Sequence, residues 1–268
     1  MTTHSASLPG GTPPGQDRWA ATGDGLIVLD GATPFSSDTP SAERYVDALL
    51  DALRTGLGSP TDLRAVISAA IATVATSLGL EPGEAPSSTV ALLRWTDDHI
   101  DVAVLGDSTI IIGTRDGREN RLTDDRLQAV GAAHRQAYRK RLERGTGYDH
   151  THRRILADLQ ATERRTRNTH RGYWIAEASS HAGHHATTTR YPARDVRWAV
   201  LATDGAQRLI DHLHIPWNDV AANNSDQLRD LLRHLHQWEA EKDPDGRALP
   251  RAKPHDDKTL LTWTADQH

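Results

Sequence analysis

The stretch from Thr89 to Arg118, TVALLRWTDDHIDVAVLGDSTIIIGTRDGR, decides the reading of the fold. Two apolar and β-branched runs, Thr89 to Trp95 and His99 to Leu105, flank the polar turn Thr96-Asp97-Asp98, which is the pattern of a β-hairpin. A third run, Ser108 to Thr114, follows at once and ends in the turn signal Arg115-Asp116-Gly117-Arg118. Strands meeting at turns this short must reverse direction, so the spacing predicts an antiparallel meander rather than a doubly wound parallel sheet.

Upstream, residues 1–14 are rich in Gly, Pro, Ser and Thr and read as a flexible N-terminal arm. A short strand is expected near Arg18, and Gly25 to Leu29 reads as a buried strand ending at Asp30. Pro34 and Pro40 bracket a loop. Ser41 caps a helix to about Leu57, with Tyr45, Leu49 and Leu53 at helical spacing. Thr61 is the expected cap of a second helix, which carries Leu63, Ile67, Ile71 and Val74 on one face to about Leu78. The two helices are predicted to lie side by side on one face of a sheet.

Downstream, residues 124–170 are Arg-rich and suit one or two amphipathic helices, either a solvated pair or a flap facing a substrate. Gly172 to Ala176 and Val196 to Ala202 read as strands, Asp226 to Glu241 as a helix, and Thr259 to Thr264 as the last strand. Residues 15–268 are thus expected to form one domain with a helical insert. Its mostly antiparallel sheets would be covered by helices.

The chain has 268 residues, a formal net charge of -5 and no cysteine. The charge offers no general attraction to nucleic acid or an anionic membrane. The missing cysteines exclude disulfides, thiolate nucleophiles and zinc-thiolate sites. No apolar run approaches the roughly 20 residues of a membrane span, and the N-terminus lacks the basic and apolar regions of a secretory signal. A cytoplasmic monomer is the expectation.

Aspartates recur at the ends of apolar runs: Asp30 in LIVLDGA, Asp107 in VAVLGDS, Asp204 in AVLATDGA and Asp256-Asp257 in HDDKTLLTW. Carboxylates gathered from separate strands repel one another unless cations or protons neutralise them. Two divalent ions about 4 Å apart would hold several of them and activate a bridging water for attack on a phosphate ester. An all-oxygen shell suits Mg2+ or Mn2+ better than Zn2+. Gly31 lets its backbone carbonyl approach such an ion. The tract Ser179 to Arg190 holds His181, His184 and His185, a metal-like composition without a carboxylate or cysteine at a diagnostic spacing.

The ordered blocks QDRW, VLDGAT, SSTVALLRW, VAVLGDSTIII, RWAVLATDGAQRLI and DDKTLLTW resemble those of the metal-dependent Ser/Thr protein phosphatases of type 2C, from about Gly15 to Trp263. The resemblance implies an α+β fold, a four-layered αββα sandwich of two mostly antiparallel β-sheets flanked by helices. It also implies hydrolysis of phosphoserine and phosphothreonine in proteins by a water bridging two Mn2+ or Mg2+ ions, with a possible third ion. The substrate would be a phosphoprotein, such as the target of a bacterial Ser/Thr kinase.

By that resemblance Asp30 bridges both ions, the Gly31 carbonyl binds one, and Asp204 and Asp256 complete the set. Asp107 supports the additional ion, Asp17 acts on a metal-bound water or from just behind the ligands, and Asp257 orients. Two positions depart from the pattern: Gln16 stands where Glu is usual, and Thr12 where a phosphate-binding Arg is frequent. Arg18 is the expected substitute for that Arg. No block assigns a proton donor among the histidines. Gln16 and Thr12 leave room for a weakly active or inactive binding protein, and the insert for a phosphatase of a small metabolite.

Overall fold

The computed structural model describes residues 1–32 and 40–266. The loop expected between Pro34 and Pro40 lies, but for Pro40, outside the described residues. Among the described residues, ten strands form two five-stranded sheets. One has the order β1 (Thr2–Leu8), β10 (Lys258–Thr264), β9 (Val196–Ala202), β6 (Thr109–Thr114), β7 (Glu119–Leu122). The other has the order β2 (Arg18–Ala21), β3 (Gly25–Ala32), β4 (Ser87–Trp95), β5 (His99–Leu105), β8 (Thr187–Pro192). Every pairing is antiparallel. The meander expected from Thr89 to Arg118 is present, but it passes from one sheet to the other between β5 and β6.

Side-chain alternation explains the layers. Leu26 and Val28 of β3 face the space between the sheets, where they meet Ile110, Leu201 and Leu261. Ile27 and Leu29, on the opposite face, pack against Tyr45, Leu49 and Leu53 of α1 (Ala42–Leu57) and Ile67 and Ile71 of α2 (Leu63–Leu78). A strand buried on both faces must be apolar at every position, which is why β3 begins as an unbroken LIVL run. The other sheet is covered in the same way by α6 (Asp204–His212), α7 (Trp217–Ala222) and α8 (Ser225–Glu241), through Leu209, Val220, Leu228 and Leu232. The result is the four-layered αββα sandwich.

Several local details differ from the expectation. Residues 2–8, assigned to a flexible arm, pair along the whole of β10 as the edge strand of its sheet. Their small polar side chains suit an edge with one face on α8, and Ala6 is the buried contact. Asp62, not Thr61, caps α2, its carboxylate accepting from the Arg64 amide at 2.7 Å. Gly172 to Ala176 is not a strand. Its ladder pairing with the sheet is a single bridge, Ser88–Ala176, at the end of β4 that β5 does not reach. The 124–170 segment folds as α3 (Arg126–Ala129), α4 (Ala132–Glu143) and α5 (His150–Thr166), with a small core of Tyr138, Leu142 and Leu159 between α4 and α5.

Candidate active site

Five carboxylates from five separate segments converge where the two sheets meet. Asp30 lies near the end of β3, Asp107 in the turn between β5 and β6, and Asp17 just before β2. Asp204 opens α6, and Asp256 sits just before β10. Burial pushes the Asp30 carboxyl well above the ordinary range, and the charges of Asp17, Asp204, Asp256 and Asp107 push it further. Asp204 rises through burial and Asp256, and shares a hydrogen bond with Asp30. Burial drives Asp17 up to about 8 and Asp107, with Asp204 beside it, to about 7. This is the electrostatic signature of a site built for missing positive charge.

The frame around the carboxylates is made of short polar ties. Thr203 donates its hydroxyl to Asp17 Oδ2 at 2.9 Å and accepts from the Thr259 amide at 2.9 Å, joining the start of α6, β10 and the N-terminal loop. Thr89 and Ser108 hydroxyls lie 2.6 Å apart, and Thr89 Oγ1 accepts from the Asp30 amide at 3.3 Å, which joins β3 to the Asp107 turn. Asp257 accepts from the amides of Gly10, at 2.7 Å, and Gln16, one carboxylate oxygen for each. Its oxygens are thus engaged in shaping the loop that carries Asp17. Gly205 permits the close approach of α6 to the Asp256-Asp257 segment, since any side chain there would collide with the Asp257 carbonyl.

The donor set fits divalent cations. All five side chains offer oxygen, and Asp17 Oδ1 is buried without a hydrogen-bond partner, an arrangement that is costly unless a cation or a bound water completes it. One cation of the chain already reaches the centre. Lys253 donates to Asp256 Oδ1 at 2.9 Å. Burial disfavours its charge, but Asp256, Asp30 and Asp204 together hold its ammonium above the ordinary lysine range.

Arg18 does not occupy the position expected of a phosphate donor. Its Nε is paired with Asp47 at 2.5 Å and its Nη1 donates to the carbonyls of Gly15, at 3.0 Å, and Asp17, at 2.8 Å. It braces the loop before β2. Basic groups instead border a cavity of about 210 Å³ that opens beside Asp107, Asp204 and Asp256 and is walled by α4 and α5. Arg135, Arg139, Arg208 and Lys253 line it. Arg135 is held by Glu163 at 2.5 Å, and Arg208 donates to the Pro250 carbonyl at 3.0 Å. The Arg-rich 124–170 segment therefore faces the carboxylate centre.

Sequence reasoning missed these cations and also the support behind Asp256. Lys258 is fully buried and donates to Glu239 of α8 at 2.8 Å and to the Asp256 carbonyl at 2.9 Å. A signal was present: of the four lysines, Lys140, Lys242, Lys253 and Lys258, two flank Asp256-Asp257. Glu239, His236 and His255 bring three potential ligand atoms within 4.8 Å of one another. Glu239 already faces Lys258 and, at 3.5 Å, Arg251, so this group is a charge network supporting the Asp256 loop.

With this geometry in view, the family is plain. The sequence profile of protein phosphatase 2C matches residues 11–249, and the chain belongs to that family of metal-dependent serine/threonine phosphatases. No curated protein is similar enough to count as a relative. Among solved structures, the fold is shared with the serine/threonine phosphatase PstP/Ppp of Mycobacterium tuberculosis. That likeness has a TM-score of 0.54 at 16% identity, covering 97% of both chains. It is shared also with PppA, a regulatory component of the type VI secretion system in Pseudomonas aeruginosa (TM-score 0.56, 15% identity, 98% of this chain and 97% of that one). A PstP catalytic domain solved in complex with two manganese ions gives a TM-score of 0.53 at 18% identity, over 97% of this chain and 96% of the other. No helix among the described residues is long and apolar enough to cross a membrane.

Proposed function

We propose that this chain hydrolyses phosphoserine and phosphothreonine in proteins, with two Mn2+ or Mg2+ ions held by Asp30, the Gly31 carbonyl, Asp204 and Asp256. Asp107 serves an accessory ion and Asp17 supports the set from behind. The observation that carries this reading is the convergence of four carboxylates on Asp30, whose own carboxyl is raised by burial and further by their charges, in a centre whose donors are all oxygen. When bound, the ions supply Lewis acidity and an activated water. The two manganese ions of the related PstP domain support the same count here.

The chain's own residues position the substrate. Arg139, on α4, lines the cavity and has no hydrogen bond or ion pair among the described residues, so its guanidinium is available to a phosphate. Lys253, released from Asp256 when cations neutralise that carboxylate, offers a second positive group at the mouth of the centre. Arg18 and Asp257 keep the loop of Asp17 in place. A bacterial Ser/Thr kinase that phosphorylates the same proteins is the opposing activity implied.

The cavity of about 210 Å³ favours one alternative, a small phosphorylated metabolite enclosed under α4 and α5. One experiment separates the readings. Manganese-dependent turnover is compared on an aryl phosphate, a phosphothreonine peptide and the peptide's free phosphoamino acid, beside Asp30→Ala and Asp204→Ala. Preference for the peptide, lost in both variants, supports the proposal. Preference for the free phosphoamino acid moves it to a metabolite, and turnover unchanged in both variants sinks the two-ion centre.

A further inference from the structure

A second cluster of ligating side chains lies away from the carboxylates. A 3₁₀ helix, Ser180–His185, presents His181 and His185 with their Nε2 atoms 3.1 Å apart. The His185 ring lies flat on Trp174, with centroids 3.5 Å apart and planes 9° from parallel. His181 stands edge-on to the same indole at 5.5 Å. His170, exposed at the end of the segment that follows α5, is 5.5 Å from both the Trp174 and the His185 rings. Three imidazoles thus surround one buried indole.

The backbone that carries them is pinned on both sides. Ser68 of α2 donates to the Ser180 carbonyl at 2.7 Å, and Arg64 donates to the Ala186 carbonyl at 2.8 Å. Arg126 of α3 donates to the His185 carbonyl at 2.8 Å, its own charge answered by Asp124. Gly183 packs so closely on the Ser68 backbone that a side chain there would collide with it. Two imidazole nitrogens are therefore held in place before any ligand arrives.

The 3.1 Å separation has two meanings. Without an ion, one Nε2–H must donate to the other nitrogen. With an ion, two nitrogens at the usual metal distance in a tetrahedral shell stand about 3.3 Å apart, so the rings need hardly move. Imidazole donors with no carboxylate select Zn2+, Cu2+ or Ni2+ over Mg2+ or Mn2+.

We propose that His181 and His185 form a transition-metal site distinct from the carboxylate centre, which His170 completes by turning its exposed ring toward them. The bound ion links the end of the α3–α5 insert, through His170, to the 3₁₀ helix packed on α2. The site takes Zn2+, Cu2+ or Ni2+ whether or not the chain hydrolyses phosphate esters.

The test uses the full chain with Mg2+ in excess to occupy the carboxylates. Cu2+ is titrated and followed by electron paramagnetic resonance, where nitrogen superhyperfine structure reports imidazole ligation and oxygen ligands give none. One tight nitrogen-coupled ion is expected, weakened about 10-fold or more by His181→Gln or by His185→Gln, and unchanged in His236→Gln. Zn2+ should raise the Tm of the parent chain and not that of His181→Gln, whose metal-free Tm, at an exposed position, should match the parent. Retention of the nitrogen-coupled signal in both His181→Gln and His185→Gln would overturn the proposal. So would its loss in His236→Gln, which would assign the ion to the group beside Glu239.

Discussion

Asp30 and Asp204 share a hydrogen bond, and each is a side chain whose charge a divalent ion would neutralise. Asp30→Ala and Asp204→Ala are each expected to lower manganese-dependent hydrolysis roughly 100-fold or more, the scale of losing one electrostatic contact to a transition state. Lys253 acts in the opposite sense. Its ammonium holds Asp256 by a half-exposed ion pair, so Lys253→Met should tighten Mn2+ binding, read by calorimetry, roughly two- to five-fold. Weaker binding in that variant would show that Lys253 does not compete with the ion. Glu239 is a buried partner of a different kind. Glu239→Ala leaves Lys258 and Arg251 without their shared carboxylate in the interior, and a loss of about 3–5 kcal/mol is expected in denaturant unfolding. Asp30, Asp107 and Asp204 were legible residue by residue, because each follows an apolar run, and Asp256 because it precedes one. Glu239 was not, since nothing local distinguishes it from any other exposed-looking acid on an amphipathic helix.

At the scale of elements, α8 illustrates how much a short signal can carry. Asn224 accepts from the Gln227 amide and the Gln227 side chain accepts from the Asn224 amide, a reciprocal cap at the start of the helix that covers the β1-β10-β9-β6-β7 sheet. Asn224→Ala should lower stability by about 1 kcal/mol in thermal unfolding, with activity retained. An unchanged Tm would mean that packing of Leu228 and Leu232 alone fixes the helix start. Elements with strong periodicity, β3 to β6, α1, α2 and α8, were readable for this reason. β1 was not, because its Thr and Ser side chains resemble a loop until β10 supplies the hydrogen bonds. Gly172 to Ala176 failed in the other direction. Its apolar side chains are buried by Val130 and by the Trp174 cluster rather than by strand pairing.

For the whole molecule, gathering carboxylates from both sheets links stability to pH and to metal. Asp17 and Asp107 have folded-state values of about 8 and about 7, raised above the unfolded value of about 4. A raised carboxyl binds more protons in the folded chain, so its stabilising effect is complete below the unfolded value and is lost as pH rises through the folded one. Asp101 works the other way: despite its burial, Arg190 and Arg94 hold its carboxyl below the usual range, so it destabilises the fold only in acid. In chelator, Tm should therefore fall between about pH 5 and 8, and Mn2+ should restore it at the upper end. A flat or rising chelated profile would contradict a centre of buried, mutually close carboxylates.

The sequence by itself determined the antiparallel meander, the paired helices and the placement of acidic residues at strand ends. Those features depend on turn chemistry and on periodicities of two and 3.6, which act between near neighbours. Only the tertiary structure decided which charges meet. Arg18 turned to Asp47 and the loop carbonyls, Lys253 reached Asp256, Lys258 found Glu239, and the Arg-rich insert was laid over the cavity beside Asp107 and Asp204. Coulomb energies depend on distance and on exclusion of water, and neither exists until distant segments have packed.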